Sequence, residues 1–313
     1  MTPRPMMRGV PPLRPRKRAG FVPWLLPALL GAAFAGCGGY LAVNQPRFEE
    51  MLLQGEGRDK ILMIDIAGPI SNEPLLVPNL GVIPGMTARV RQELEIAYQD
   101  PYIRGVLLRI DSPGGTLTDS DVIYNSLLEF KKTKHVKIVA SLGDIAASGA
   151  VYVAMAADEI IAHPTTITGS IGVIMPHTDF SGLADKLGVR SDPITSGQFK
   201  SIDDPLRPRT KEEEAMLQGV VTRLYEKFVK VVIAGRKTMS EQKIREIADG
   251  RIFTADEAKE LGLVDSIGYL DEAYRRLSTL SGFPENRLIR YTNVWLTGNN
   301  IYSNPFPIEF SRP

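Results

Sequence analysis

The chain has 313 residues, of which 43% are hydrophobic and 23% charged, and its net charge is +1. These values are typical of an ordinary globular protein with room for one large or two small domains, and they give no overall attraction to nucleic acid. The single cysteine, Cys37, excludes an intrachain disulfide and a cysteine-based metal cluster.

The N-terminal region combines a basic leader with an apolar segment. Residues 1–20 contain six Arg or Lys and no acidic residue, and residues 21–43 contain no charged residue. An apolar stretch of about 20 residues is long enough to cross a bilayer, and the basic flank predicts that the N-terminus stays in the cytoplasm. The prolines and glycines of the segment argue against a buried core helix. We therefore expect a single membrane anchor, with the following domain outside the cytoplasm.

A cleaved signal is the competing interpretation of this region. Cys37 follows the residues "FAG", which approximate a lipoprotein signal that ends just before a lipidated cysteine. Phe34 weakens this match, because such signals usually have an aliphatic residue at that position. Both interpretations tether the chain to a membrane, and we favour the uncleaved anchor.

The rest of the chain divides by composition into three parts. Residues 44–60 are predicted to form a polar stalk, residues 61–280 a folded domain, and residues 281–313 a tail that is irregular or packs as an arm on a partner. Buried strands are predicted at "ILMIDIAGPI", "GVLLRID", "VKIVASL", "EIIAHP" and "TITGSIGVIM". Helices are predicted at "TARVRQELEIAYQD", "DSDVIYNSLLEFKKT" and "GAVYVAMAAD". This alternation favours βαβ units and a mainly parallel sheet, so the predicted fold class is α/β.

From residue 210 onward the pattern becomes helical. Thr210 and Glu213 form a capping box that opens one amphipathic helix, and Thr254 and Glu257 form another. The second helix is predicted to end at Gly262.

The residues "DSPGG", 111–115, follow a predicted strand and precede a helix. Glycines in such a turn let backbone N–H groups face a ligand closely, and these donors can stabilise an oxyanion. A plain turn explains the same residues equally well.

Ser148 follows a predicted strand and begins a helix, so it is either a helix cap or a nucleophile. It does not fit the G-x-S-x-G elbow motif, because Ala146 replaces the first glycine. His163 and His177 are poor candidates for its base, since no acidic residue is placed to orient either. A lysine can also serve if burial lowers its pKa. Lys200 lies in a loop rich in Gly, Ser and Pro, but spacing alone does not separate it from an exposed lysine.

Four stretches occur in the order found in the signal peptide peptidase A family, in its short bacterial form. They are "LLRIDSPGG", "SLGDIAASGAVYVAMAADEIIAHPTTITGSIGVI", "ITSGQFKSIDDPLRPRTKEE" and "DGRIFTADEAKELGLVDSIG". Over roughly residues 60–280 the chain resembles this family. The resemblance implies a crotonase-like or Clp-peptidase-like α/β spiral of βαβ units, here with one N-terminal transmembrane or signal-anchor helix.

The resemblance also implies a serine endopeptidase with a Ser/Lys dyad. Its nucleophile falls on Ser148 and its general base on Lys200. The glycine turn maps to Gly114, whose N–H is the expected oxyanion donor, and to Gly115, while Ser170 matches a serine that supports the lysine. No metal or other cofactor is implied.

By the same resemblance, the expected function is degradation of cleaved signal peptides and other hydrophobic peptides at the membrane, without nucleic acid. The expected assembly is a homo-oligomeric ring or dome with active sites facing an inner chamber. The sequence is also compatible with two rival functions. One is an acyl-CoA-binding relative of the crotonases, and the other is a membrane scaffold of the same fold without turnover.

Overall fold

A computed structural model describes residues 48–77 and 81–293 of the chain. The predicted leader, the anchor segment, Cys37 and the end of the tail lie outside these residues. The strands are β1 Phe48–Gly55, β2 Asp59–Ala67, β3 Leu75–Val77, β4 Gly81–Ile83, β5 Ile103–Ser112, β6 Lys137–Ala147, β7 Glu159–Ala162, β8 Ile167–Gly169, β9 Ile252–Thr254, β10 Ser266–Ile267 and β11 Asn286–Asn293. The helices are α1 Met86–Gln99, α2 Leu117–Lys134, α3 Gly149–Ala154, α4 Ser181–Leu187, α5 Lys211–Gly235, α6 Glu241–Ile247, α7 Ala255–Leu261 and α8 Leu270–Ser281. In the described part of the chain, no helix has both the length and the apolar character needed to cross a bilayer.

A central sheet organises the domain, with strand order β1-β11-β2-β5-β6-β7-β10. Neighbouring strands from β11 to β10 are parallel, whereas β1 is antiparallel to β11. Strand β8 pairs with β6 in parallel and carries β9 as an antiparallel partner. The predicted α/β class with a mainly parallel sheet is therefore confirmed.

Helices cover both faces of this sheet. Residues 61–66 of β2 are all buried, as expected for a parallel strand covered on both sides. On one face the apolar side chains of β2, β5 and β6 pack with α1, α2 and α3 in the larger core. On the other face the same strands pack against α8 in a smaller core. The predicted capping boxes at Thr210 and Thr254 are present, and Gly262 ends α7 in the left-handed conformation.

Two expectations about the ends of the domain were wrong. Residues 48–55 of the predicted stalk form β1, and residues 286–293 of the predicted irregular tail form β11, which lies between β1 and β2. The polar residues of the sequence "NRLIRYTN" suggest an exposed segment, although the segment forms a buried strand. Arg290 is nevertheless only 2% exposed, since it forms an ion pair with Asp65 of β2 at 3.0 Å.

The predicted strand "TITGSIGVIM" is also shorter than expected, because β8 ends at Gly169. Gly169 and Ser170 both have positive φ angles, of 94° and 51°, which turn the chain away from the sheet. The junction after β8 therefore directs the following residues out of the sheet.

A buried charged cluster lies between β2, β5, β11 and α1. Asp65 pairs with Arg109 at 2.5 Å and with Arg290, and Arg89 of α1 donates to the Asp65 carbonyl oxygen. Arg89 also donates to Glu93 at 2.7 Å. Burial raises the pKa of Glu93 to about 7, although the Arg89 guanidinium opposes this shift. The folded chain therefore retains on Glu93 a proton that the unfolded chain releases near the ordinary pKa of the carboxyl.

We expect the free energy of unfolding to fall as pH rises from about 4.5 through about 7, and Glu93→Gln to remove most of this dependence. Between these pH values the unfolded chain gains free energy by releasing the proton of Glu93, whereas the folded chain does not. The free energy of unfolding should therefore fall by an amount on the order of 3 kcal/mol. Urea unfolding between pH 5 and 8 measures this slope. Glu95→Gln, an exposed change on the same helix, is the control. Equal slopes for the parent and Glu93→Gln would show that the arginines keep Glu93 ionised.

Candidate active site

Ser148 lies at the junction between β6 and α3, in a backbone conformation that L residues rarely adopt. Its φ and ψ angles are 54° and −119°. Its N–H donates to the Gly169 carbonyl oxygen at 2.9 Å, and its own carbonyl accepts from the Tyr152 N–H at 3.1 Å. Such a conformation costs roughly 1–3 kcal/mol and persists where the surroundings enforce it.

The helix-cap interpretation of Ser148 is wrong. Ser148 occupies the N-cap position of α3, but its side chain makes no capping hydrogen bond. The hydroxyl is therefore not used by the helix that follows it. A strand, a strained serine and a helix together form the local arrangement of a nucleophile elbow, although Ala146 breaks the sequence motif. The fold thus forms the elbow at Ser148 although the sequence lacks the first glycine of the motif.

The turn formed by Gly114 and Gly115 packs directly against Ser148. A Cβ on Gly114 would lie 2.9 Å from the Ser148 Cβ and 2.7 Å from the Gly149 nitrogen, and the φ angle of Gly114 is 97°. A Cβ on Gly149 would lie 2.3 Å from the Ser120 hydroxyl oxygen. No side chain fits at these positions without movement, so the sequence needs glycine here for close approach of two backbones.

The backbone donors of this turn are arranged differently from the expectation. The Gly114 N–H donates to the hydroxyl oxygen of Ser112, at 3.1 Å, and Ser112 is fully buried. To stabilise an oxyanion, the Gly114 N–H would have to exchange this acceptor. Gly149 is the first residue of α3, and amides in a first helical turn have no partner within the helix. Sequence reasoning overlooked the Gly149 N–H, although its position directly after the serine could have indicated it.

Ser170 is the third predicted residue that the fold places near Ser148. It directly follows Gly169, whose carbonyl oxygen accepts the Ser148 N–H. The Ser170 N–H donates to the Arg251 carbonyl oxygen at 2.7 Å, which fixes the turn. The structure thus brings together Ser148, the glycine turn and Ser170.

Lys200 is not part of this group in the isolated chain. It lies in an exposed turn, where its backbone N–H donates to the Gly197 carbonyl oxygen at 3.0 Å. Among the residues that the structure describes, no hydrogen bond joins Lys200 to Ser148. The expected dyad is therefore not assembled within one chain in this conformation.

Lys200 belongs to a segment, residues 174–209, that we call the arm. The arm is held together by its own contacts, such as the Phe180 N–H donating to the Pro205 carbonyl oxygen at 2.7 Å. Of its residues, all of which the structure describes, Ala184 alone is buried. Several large apolar residues are more than half exposed, namely Ile174, Leu183, Leu187 and Ile194. Exposed apolar surface of this kind marks an interaction site.

The surroundings of His163 and His177 do not prepare either residue to act as the base for Ser148. The His163 Nδ1 lies 2.9 Å from the Thr165 hydroxyl, and the His163 ring packs edge-on against Tyr269, with centroids 4.9 Å apart. Within residues 48–77 and 81–293, no hydrogen bond connects His163 or His177 to Ser148 or to a carboxylate. Neither histidine has the orientation by an acid that a Ser-His site requires.

Comparison with known proteins supports a peptidase. The sequence profile of peptidase family S49 matches residues 130–283, which include Ser148, Ser170 and Lys200. A protein of Synechocystis sp. named as a protease is 39% identical over 231 residues, which make up 74% of this chain and 78% of that protein.

Two further relatives carry more specific names. A protein of Enterococcus faecium named as the signal peptide peptidase SppA is 37% identical over 201 residues, 64% of this chain and 58% of that protein. The chloroplastic serine protease SPPA of Arabidopsis thaliana is 31% identical over 239 residues, 74% of this chain and 34% of that protein. The chain thus spans under two thirds of these two proteins.

Proposed function

The chain belongs to the signal peptide peptidase A family, the serine peptidases of family S49, and we propose that it hydrolyses hydrophobic peptides with Ser148 and Lys200 as a catalytic dyad. The observation that carries this proposal is the geometry of Ser148. Its strained backbone presents a hydroxyl that caps no helix, and a turn of glycines packs directly against it. The finer fold that we propose is the crotonase-like or Clp-peptidase-like spiral.

The proposed mechanism begins with a neutral Lys200 amine, which takes the proton of the Ser148 hydroxyl. The Ser148 oxygen attacks the scissile carbonyl and forms a tetrahedral oxyanion. The N–H groups of Gly114 and Gly149 stabilise this charge once the Gly114 N–H has left the Ser112 oxygen. The Lys200 ammonium then protonates the leaving amine. Water, deprotonated by the same lysine, attacks the acyl-enzyme, and the lysine ammonium returns this proton to the Ser148 oxygen as the second product leaves.

We further propose that a neighbouring copy of the chain supplies the lysine. Catalysis by a lysine base needs an amine enclosed by apolar groups. Lys200 is exposed in the isolated chain, and exposed apolar residues surround it along the arm. Packing of the arm onto a second copy would bury these residues and enclose the amine beside the partner's Ser148. Ser170 would hold the amine in place.

The length of α5 supports the same arrangement. Its C-terminal half packs in the core through Phe228, Val229 and Val232, whereas most of its N-terminal half is exposed. Glu213 and Phe228 are separated by fifteen positions, or about 22 Å at 1.5 Å per residue. The arm is attached at the N-terminal end of α5, so we propose that it contacts a neighbouring copy. A ring or dome of identical subunits is the assembly that we propose.

The remaining proposals concern location and substrate. Residues 21–43 would anchor the protein in a membrane with the peptidase domain outside the cytoplasm, and lipidation of Cys37 is the alternative anchor. Cleaved signal peptides and other hydrophobic peptides would be the substrates, without nucleic acid. These substrates suit an enzyme that works beside a membrane.

Activity of the full chain in detergent micelles tests the proposed function. We expect hydrolysis of short apolar fluorogenic peptides and covalent labelling by a fluorophosphonate probe, with both lost in Ser148→Ala. A parent chain that neither hydrolyses a peptide panel nor reacts with the probe would favour the scaffold. Retention on immobilised CoA in place of peptide hydrolysis would favour the crotonase-like alternative.

A further inference from the structure

An ion pair at the base of the arm connects the turn that carries Lys200 to the first turn of α5. Arg207 donates to both carboxylate oxygens of Glu213, at 2.5 and 3.0 Å. The same guanidinium donates from Nη2 to Ser201, to its carbonyl oxygen at 2.7 Å and to its hydroxyl at 3.1 Å. Ser201 directly follows Lys200. One guanidinium therefore bridges the residue after the predicted base and the end of a long helix.

Glu213 is the fixed end of this bridge. It is only 2% exposed, and its carboxylate also accepts the Thr210 N–H at 2.9 Å, which completes the capping box of α5. The Arg207 guanidinium and the Thr210 N–H lower the pKa of Glu213 to about 2. The pair therefore stays charged throughout the pH range in which a peptidase would be assayed. Its effect on the arm does not vary with pH over that range.

Helix α5 begins near Glu213, and its C-terminal half packs in the core near the proposed nucleophile. The Phe228 ring packs against Tyr152 of α3, with centroids 5.1 Å apart. Tyr152 lies one turn from Ser148, where α3 begins, and its hydroxyl donates to Asp121 at 2.6 Å. A rigid helix of 25 residues thus joins the Ser148 region of one copy to the Lys200 turn of the same copy.

We propose that Arg207 and Glu213 are positioning residues that set the place and orientation of Lys200. This inference rests on the proposed function of Lys200 as the base. The arm has almost no core of its own, so packing alone does not fix the turn. A bidentate guanidinium–carboxylate pair with a further bond to a backbone carbonyl supplies the directional constraint that packing lacks. Catalysis is sensitive to such constraints, because a misplacement of about 1 Å can reduce the rate about 100-fold.

The contacts separate this role from simple helix capping. The Thr210 hydroxyl accepts the Glu213 N–H at 3.2 Å, and this bond does not involve Arg207. The hydrogen bonds from Arg207 to Ser201 do not cap α5, because Ser201 lies outside the helix. Glu213→Gln can keep a capping oxygen while losing the ion pair, whereas Arg207→Ala removes the bridge and leaves the box intact. The two variants together therefore test the bridge and not the helix.

We expect Arg207→Ala and Glu213→Gln to lower kcat about 10- to 100-fold with KM within about twofold of the parent. The pH profile of kcat/KM should also differ from that of the parent, because the turn that carries the proposed base is no longer held in one place. Arg207→Lys should recover part of the rate, since it keeps the charge but not the fork. Arg209→Ala is the matched control, because Arg209 makes one 3.5 Å contact with the exposed Asp203. Assembly of every variant is followed by light scattering on the full chain in detergent.

Lys200→Ala in the same series separates the two proposals. If Lys200→Ala is inactive while Arg207→Ala and Glu213→Gln match the parent in kcat and pH profile, the positioning role is wrong and the dyad stands. If Lys200→Ala remains active, the proposed dyad fails, and the positioning role fails with it. If Arg207→Ala breaks the assembly, the pair holds subunits together and the positioning role is again wrong.

Discussion

Ser148→Ala and Lys200→Ala are each expected to lose activity by at least about 10³-fold, yet assemblies that contain both variants should recover activity. If each site takes its serine from one copy and its lysine from the next, a site is intact when an Ser148→Ala copy supplies the lysine to a Lys200→Ala copy. With random mixing in a closed ring, about a quarter of the sites are intact. Co-expression of the two variants, followed by peptide hydrolysis, measures this recovery.

The control for this experiment is co-expression of each variant with itself under the same conditions. Both variants should assemble like the parent, because Ser148 makes no capping bond and Lys200 is exposed. If the mixed assemblies remain as inactive as the single variants, the two residues meet within one chain. The arm would then have to close over its own α3, and the proposed exchange between copies would be wrong.

Gly115→Ala should cause the second large loss, of at least about 100-fold in activity, together with about 1–3 kcal/mol of stability. A Cβ at this position would lie 2.0 Å from the Ile70 carbonyl oxygen and 2.6 Å from the Ile70 nitrogen. The backbones cannot separate without losing two bonds, from the Ile70 N–H to the Gly114 carbonyl oxygen at 2.8 Å and from the Thr116 N–H to the Ile70 carbonyl oxygen at 3.0 Å. The turn beside Ser148 would therefore be displaced. Thermal unfolding and peptide hydrolysis measure the two effects.

Gly182→Ala provides the comparison for this substitution. No atom lies within 4 Å of the position that its Cβ would occupy, and it lies within the short helix α4 of the arm. It should unfold at the parental temperature or slightly above, because alanine favours a helix more than glycine does. A Gly115→Ala enzyme with parental rate and Tm would show that the turn can move without cost to the site.

Local patterns in the sequence were sufficient for much of the central domain. The apolar runs that form β2, β5 and β6 are buried by helices on both faces. Strands of this kind can be predicted from their hydrophobicity alone. The capping box at Thr210 is equally local, since it depends on two residues three positions apart. These features could be predicted because neighbours in sequence determine them.

Features that depend on distant partners could not be predicted in this way. The charge of Arg290 predicts an exposed position for β11. In the folded sheet Asp65 lies beside Arg290 and pairs with it, which allows the strand to be buried. The strained backbone of Ser148 depends on the Gly169 carbonyl oxygen, which lies twenty-one residues further along the chain. The exposure of Lys200 follows from the absence of packing around the arm, and no local pattern distinguishes it from burial.

The strained backbone at Ser148 also bears on how such a site changes over evolutionary time. Glycine would adopt the same φ and ψ angles with less strain, so losing the hydroxyl there should stabilise the folded chain. A lineage without selection for catalytic activity would gain stability by replacing Ser148 with glycine. No selection would then favour a return to serine. The proposed nucleophilic role of Ser148 would therefore be maintained by selection for reactivity, at the expense of a more stable inactive fold.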